Sequence, residues 1–192
     1  MGPKLSADQR IIKKYRRIWQ DNPISILERY SYLPLKTKEL DRMNIRDFNR
    51  EKLYEIVLWK IARFPEIDDI LIEDLKAVAR IKHGNHRKAE NILNELLKCK
   101  NIALPMASTI LRFINPNTFQ IIDDRTFRIV MPKRAKYPQK TKKISDKYLH
   151  NTSKTYFEYL DRLIILSCDN IPFNLSDRIF YQLDKELGNR LS

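Results

Sequence analysis

Apolar residues recur at helical spacing along most of the chain, and this periodicity limits the possible folds more than any other feature. Ala89, Ile92, Leu93, Leu96 and Leu97 follow the i, i+3, i+4, i+7, i+8 pattern of an amphipathic helix. Similar stripes comprise Leu53, Ile56, Val57 and Ile61; Leu71, Leu75, Val78 and Ala79; Tyr156, Leu160, Leu163 and Ile164; and Ile179, Phe180, Leu183 and Leu187. No stretch alternates convincingly between apolar and polar residues. We therefore predict an all-α fold of roughly nine or ten short helices.

Residues that favour helix starts support this prediction. Ser6 stands three residues before Gln9, and Asn174 stands three before Asp177, as in capping boxes. Pro105 suits the first turn of a helix, where its missing N–H has no partner to lose. These signals predict helices that begin just after Ser6, near Pro105 and just after Asn174.

Length and charge indicate the size of the protein and the kind of partner. The 192 residues suffice for a single domain over residues 1–192. There are 37 Lys and Arg against 24 Asp and Glu, a net charge of +13. Because 43% of the residues are hydrophobic, this charge belongs to a folded basic protein rather than to a disordered tail. The expected partner is a polyanion, with nucleic acid the first candidate.

Glycine, cysteine and hydropathy exclude several classes. Three glycines are too few and too scattered for a phosphate-binding glycine loop. Two cysteines, Cys99 and Cys168, cannot ligate an iron–sulfur cluster, and we expect reduced thiols and no cofactor. No apolar run is long enough to span a membrane, and the N-terminus lacks a hydrophobic signal core. The expected location is the cytoplasm, at the nucleoid through DNA binding, with no membrane and no obligate protein partner.

A basic loop is expected at residues 132–144. It contains two prolines, no acidic residue up to position 143, and six cations: Lys133, Arg134, Lys136, Lys140, Lys142 and Lys143. It is either a solvated loop or a surface that binds phosphates.

The segment over residues 89–131 has the order helix, tight turn, helix, short apolar run and acidic helix start. The turn is Lys100-Asn101-Ile102-Ala103-Leu104, and the apolar run Phe119–Ile122 leads into Asp123. A tight turn between helices directs backbone N–H groups at one phosphate, and the helix dipole beyond it favours the anion.

The stretch KNIALPMASTILRFINPNTFQIIDDRTFRIV, residues 100–130, resembles the helix-hairpin-helix DNA glycosylases. The resemblance places Asn101-Ile102-Ala103 on the Gly-apolar-Gly hairpin, Ala107 on the family's alanine, Asp123 on the catalytic aspartate and Arg128 on a common arginine. LWKIAR, residues 58–63, and FNLSDRIFYQLDKE, residues 173–186, are more loosely similar to a branch without an iron–sulfur cluster.

This resemblance implies a helical glycosylase-like fold and a protein that flips a base out of duplex DNA. The enzyme would hydrolyse the N-glycosidic bond of a damaged or modified base, in base-excision repair or in defence against modified phage DNA. Pro105 stands where lyase members carry a lysine, so the implied enzyme is monofunctional unless Lys60 or another lysine enters the pocket. Both hairpin glycines are replaced, and because alanine adopts positive φ poorly, Ala103 predicts a distorted turn. The alternative is a non-catalytic helix-hairpin-helix DNA-binding module.

Asp123 is the candidate catalytic residue. A carboxylate beneath C1′ can stabilise the positive charge that develops on the sugar and can orient water. Asp123 also suits a simple N-cap of the helix that begins at Asp124, and Asp124 is the second candidate. Arg125 and Arg128 either bind phosphate or offset the negative charges of the two acids. The other residues predicted to bind phosphate are Lys100, the turn, Lys133 and Arg134.

The predicted base pocket contains Trp59, Lys60 and Arg63. Further candidate aromatic residues are Tyr15, Trp19, Tyr54 and Phe64. A flipped base needs aromatic side chains for stacking and a few polar groups for its edge. Aromatic residues at helical spacing are more often part of the core, however, and Lys60 and Arg63 can equally be surface residues. His83 and His86 flank Gly84, and the glycine between them favours a helix end. No third ligand lies nearby in the sequence, so no metal site is expected.

Overall fold

The computed structural model describes Ile18, residues 23–62 and residues 64–189. The chain divides into two compact units, Met1–Phe64 and Pro65–Ser192. Two compact units can belong to one domain, so the division does not test the single domain predicted over residues 1–192, which stays a prediction. Regular structure in the described residues is helical apart from one isolated bridge between Cys168 and Ile171, which confirms the all-α class. In the same residues, no helix is long and apolar enough to cross a membrane.

The first unit contains two described α-helices, α1 (Pro34–Asp41) and α2 (Arg50–Lys60), and 3₁₀ segments at Pro23–Arg29 and Ile45–Asp47. Asn49 caps α2 by accepting a hydrogen bond from the Lys52 N–H at 2.9 Å. The helix predicted from the Leu53 stripe is present, but none of its residues is buried. Apolar spacing tells which residues share a face of a helix, not whether another element covers that face.

The second unit contains six α-helices within its described residues. They are α3 (Asp69–Val78), α4 (Glu90–Lys98), α5 (Leu104–Ile114), α6 (Asp124–Val130), α7 (Asp146–Leu166) and α8 (Ser176–Glu186), with 3₁₀ segments at His86–Ala89 and Phe173–Leu175. Here the predicted stripes are largely buried, although Leu183 and Leu187 of the last stripe are exposed. On α4, Leu93, Leu96 and Leu97 are fully inaccessible to solvent. They belong to one hydrophobic core that also takes side chains from α3, α5, α6, α7 and α8.

Helix α8 begins at Ser176, just after Asn174 as predicted, but its N-cap differs from the prediction. Its N-cap residue is Leu175, which makes no side-chain cap hydrogen bond, and Asn174 lies in the preceding 3₁₀ segment. Asp177 is buried and accepts a hydrogen bond from the Ile121 N–H at 3.3 Å. The predicted cap at Asn174 is therefore wrong, because Asp177 pairs with a distant segment instead. The predicted Ser6 cap lies outside the described residues.

A buried carboxylate on α8 joins that helix to α6. The Asp184 side chain is fully buried, 2.9 Å from both Arg125 Nη1 and Arg128 Nε, and accepts a hydrogen bond from Asn189 Nδ2 at 2.9 Å. Burial alone would raise the pKa of the Asp184 carboxyl. Hydrogen bonds from Arg128 and Asn189 outweigh burial and hold this pKa below its ordinary value.

We expect Asp184→Asn to lower the free energy of unfolding by about 2 kcal/mol near neutral pH, because the charged hydrogen bonds are lost. A carboxyl with a depressed pKa in the folded state stabilises the fold above its ordinary pKa of about 3.9 and loses this contribution as the pH falls. The difference between variant and wild type in urea unfolding should therefore shrink below about pH 4. The exposed Asp169→Asn is the control, and an equal effect of the two substitutions contradicts the prediction.

Candidate functional site

A tight turn, residues 99–103, joins α4 to α5 as predicted. Asn101 takes the left-handed conformation with a φ of 64°, which asparagine tolerates. Ala103 is extended, with a φ of −102°, so this position does not require glycine. The predicted distortion at Ala103 is therefore wrong. Ile102 between them is fully buried and attaches the turn to the core.

Lys140 anchors the basic loop to this turn. Its ammonium donates to the carbonyl oxygens of Leu97 at 2.7 Å, Cys99 at 2.6 Å and Ile102 at 2.7 Å. Burial lowers the pKa of Lys140. These acceptors lie at the C-terminal end of α4 and in the turn, where carbonyls lack helical partners and a cation is favourable.

A second anchor attaches the basic loop to α6. Tyr137 is buried and packs edge-to-face on Phe127, with ring centroids 5.5 Å apart. Burial, together with the charge of Asp124 and a hydrogen bond to it, raises the pKa of Tyr137. The loop is therefore fixed at both the turn and α6, while Lys133, Lys136, Lys142 and Lys143 remain exposed.

Asp123 is the N-cap of α6, as the sequence also predicted. Its Oδ1 accepts a hydrogen bond from the Thr126 N–H at 2.8 Å, and the Asp123 N–H donates to Thr126 Oγ1 at 3.0 Å. The two bonds form a capping box. Asp123 is half-buried, so its carboxylate is both positioned and accessible.

Hydroxyl groups from the core hold the segment that leads to Asp123. Tyr156 donates to the Gln120 carbonyl at 2.9 Å and Tyr159 to the Ile121 carbonyl at 2.7 Å. The Ile122 N–H donates to Ser108 Oγ on α5 at 3.2 Å. Helix α5, which follows the turn, therefore contacts the segment that positions Asp123.

A cavity of about 380 Å³ opens beside Asp123. It is lined by Ile121, Asp123, Thr126, Asp177, Arg178, Tyr181 and Gln182. This volume lies in the range of small-molecule sites, roughly 300–1,000 Å³. The cavity contains both charged and aromatic side chains and is formed by the segment before α6, α6 itself and α8.

Of the seven lining residues, sequence reasoning named only Asp123 as a site residue, and three of those that it missed are Arg178, Tyr181 and Gln182. They stand at i, i+3 and i+4 on α8 and therefore share a helix face. This spacing, inside the loosely similar segment 173–186, was the available signal. It did not show that this face lies beside Asp123.

The predicted DNA-binding cations have intramolecular partners in several cases. Lys100 Nζ lies 3.0 Å from Glu66 Oε1, and Arg134 Nη2 lies 2.6 Å from Glu158 Oε2. Arg125 and Arg128 both pair with Asp184 on α8, and the charge of Asp124 also acts on Arg128. Lys133 lines a second cavity, of about 370 Å³, together with Arg134 and Arg162.

The predicted base-pocket residues that the structure describes lie in the first unit. Trp59 donates its indole N–H to Thr37 Oγ1 at 2.9 Å and packs edge-to-face on Tyr32. Lys60 is exposed, and Arg63 lies outside the described residues, as do Tyr15 and Trp19. The described part of the predicted pocket is thus a packed tryptophan and an exposed lysine.

The two histidines around Gly84 have separate structural roles. His83 Nδ1 lies 2.7 Å from the Asn117 carbonyl oxygen. His86 is buried with Nε2 3.1 Å from Asp161 Oδ1, and burial lowers its pKa. Within the described ranges, no group of three or more His, Cys, Asp or Glu side chains is placed to hold a metal ion.

No protein-family profile, curated protein sequence or solved structure matches this chain. The residues around Asp123 and the α4–α5 turn are therefore the basis for a functional proposal.

We expect Lys140→Met to lower the free energy of unfolding by about 1–3 kcal/mol, because three carbonyls lose a charged donor. Amide hydrogen exchange should accelerate in residues 99–103. The matched control is Lys142→Met, which removes the same charge from an exposed position in the same loop. If the two variants unfold and exchange alike, Lys140 does not fix the turn.

Proposed function

We propose that the chain is a monofunctional DNA N-glycosylase, with Asp123 as its catalytic residue. The observation that carries the proposal is the placement of the Asp123 carboxylate at a cavity of about 380 Å³, in the same compact unit as the α4–α5 turn. The resemblance to helix-hairpin-helix glycosylases assigns the turn to DNA and the aspartate to chemistry. The enzyme would act in base-excision repair or against modified phage DNA.

The chemistry requires a carboxylate with one oxygen available. Breaking the bond between C1′ and the base leaves positive charge on the deoxyribose, which a nearby carboxylate stabilises. Asp123 Oδ1 accepts the cap hydrogen bond from Thr126, whereas no partner of Oδ2 is found in the described residues. The cap can therefore orient the side chain while Oδ2 faces the sugar and a water molecule.

DNA binding is supported by the α4–α5 turn and the loop fixed beside it. The N-cap residue Ala103 makes no side-chain cap hydrogen bond, so the first N–H groups of α5 can donate to a phosphate oxygen. The exposed lysines of the basic loop add positive charge in the same unit. Pro105, in the first turn of α5, supplies no amine at the position of the family's lyase lysine.

A specific observation also favours the alternative, a DNA-binding module without catalysis. The capping box uses both the backbone and the side chain of Asp123, which accounts for an aspartate at this position without any reaction. The two candidates agree on DNA binding and differ on base release.

Asp123→Asn separates catalysis from capping. Asparagine caps about as well as aspartate, so we expect the free energy of unfolding to change by less than about 0.5 kcal/mol, against about 1 kcal/mol for Asp123→Ala. Base release should fall at least about 10²-fold in both variants, because the stabilising charge is lost. The assay incubates duplexes carrying damaged or hypermodified bases, including phage DNA, and detects abasic sites by alkaline cleavage. If the wild type binds these DNAs and releases no base, the non-catalytic module is correct.

Salt dependence tests the DNA interface separately from catalysis. If several phosphates are contacted, we expect affinity for duplex DNA to fall by orders of magnitude over a few-fold rise in salt concentration. Lys133→Gln should reduce the slope of log Kd against log salt by about one. A shallow slope in the wild type, measured by fluorescence anisotropy, contradicts every nucleic-acid function for this chain.

A further inference from the structure

The cavity beside Asp123 contains three charged side chains, the carboxylates of Asp123 and Asp177 and the guanidinium of Arg178. Asp177 is neutralised within the protein, because its Oδ2 lies 3.5 Å from Arg112 Nε and both of its oxygens accept backbone N–H groups. Arg178 is exposed and makes no ion pair with a described carboxylate. The charges left to act on a ligand are therefore the carboxylate of Asp123 and the guanidinium of Arg178.

Two opposite charges match the two fragments of N-glycosidic cleavage. When the C1′–N bond breaks, its electron pair goes to the base nitrogen, so the sugar becomes positive and a neutral base departs as an anion. Water then gives its oxygen to C1′, and Asp123 takes one of its protons. The departing base gains a proton from solvent and Asp123 returns its proton to solvent, which balances the hydrolysis.

We propose that Arg178 contacts the departing base and stabilises its negative charge, so that the enzyme prefers neutral, oxygen-bearing bases to cationic N-alkylated bases. This inference rests on the proposed glycosylase function. A cationic base leaves as a neutral molecule and gains nothing from a guanidinium. In its bound state it is also repelled by Arg178.

Other lining residues suit the same ligand. Tyr181 contributes an aromatic ring, and the Gln182 amide has both donors and an acceptor for a base edge. Arg125 and Lys185 lie near the Tyr181 ring, 5.6 and 6.0 Å from its centroid. Arg125 is paired with Asp184, but Lys185 makes no ion pair with a described carboxylate, so Lys185 makes the surroundings of Tyr181 more positive and favours an anionic base.

The leaving-group dependence of the rate tests this role. We expect Arg178→Gln to slow release of uracil from duplex DNA about 10²-fold. Its effect on 5-fluorouracil, a more acidic and better leaving group, should be smaller, so the dependence of rate on base pKa becomes steeper. Arg178→Lys should restore part of the rate. Release of cationic 7-methylguanine should not slow in Arg178→Gln, because this base leaves as a neutral molecule and the repulsion by Arg178 is removed.

Lys154→Gln is the matched control, because it removes an exposed positive charge from α7 and Lys154 does not line the cavity. Thermal unfolding of each variant checks that the fold is retained. A wild type that favours 7-methylguanine over uracil, or an Arg178→Gln variant with an unchanged leaving-group slope, overturns the proposal.

A binding experiment separates failure of this inference from failure of the proposed function. Urate, an oxopurine that is an anion at neutral pH, is titrated into the protein and followed by NMR. Binding by the wild type and by Lys154→Gln, with at least tenfold weaker binding by Arg178→Gln, supports the role of Arg178 even if no DNA base is released. Absent or equal binding in wild type and Arg178→Gln overturns it, whatever the glycosylase assay shows.

Discussion

Burial of the chain between α5 and α6 is the constraint on which the rest of the second unit depends. Phe119 and Ile122 are fully buried, so the backbone polar groups around them need partners inside the protein. Tyr156 and Tyr159 supply two of these partners from α7. A buried segment held in this way has little freedom, and Asp123, at its end, enters α6 with a defined orientation.

Buried or partly buried ionic groups then connect the remaining elements to this segment. Asp177 accepts the Ile121 N–H and pairs with Arg112, which joins α8 to α5. Asp184 pairs with both arginines of α6. The basic loop is attached differently, because Lys140 donates to three backbone carbonyls at the α4–α5 turn and the neutral Tyr137 packs on Phe127 of α6. A buried charge is costly unless it is paired, so each connection holds its elements in one arrangement. The same pairing of Asp177 leaves Asp123 and Arg178 as the charges available to a ligand in the cavity.

Local sequence signals predicted the elements that depend on neighbours along the chain. The stripe of α4, the proline in the first turn of α5 and the cap at Asp123 all follow from contacts within a few residues. The positive φ of Asn101 is likewise a local property, since it concerns the backbone of one residue. The error at Ala103 came from assuming that both positions of the turn need glycine. The error at Asn174 arose because Asp177 pairs with Ile121, a residue 56 positions away.

By itself the sequence determined the helical class, the turn between α4 and α5, and an aspartate at a helix start, because periodicity and capping are short-range properties. Tertiary structure alone decided that Arg178, Tyr181 and Gln182 line a cavity with Asp123, and that Lys140 binds the turn. It also decided that the arginines of α6 pair with Asp184. The physical reason is that charges and cavities depend on which distant side chains meet, and helical spacing specifies only a face, not what that face contacts.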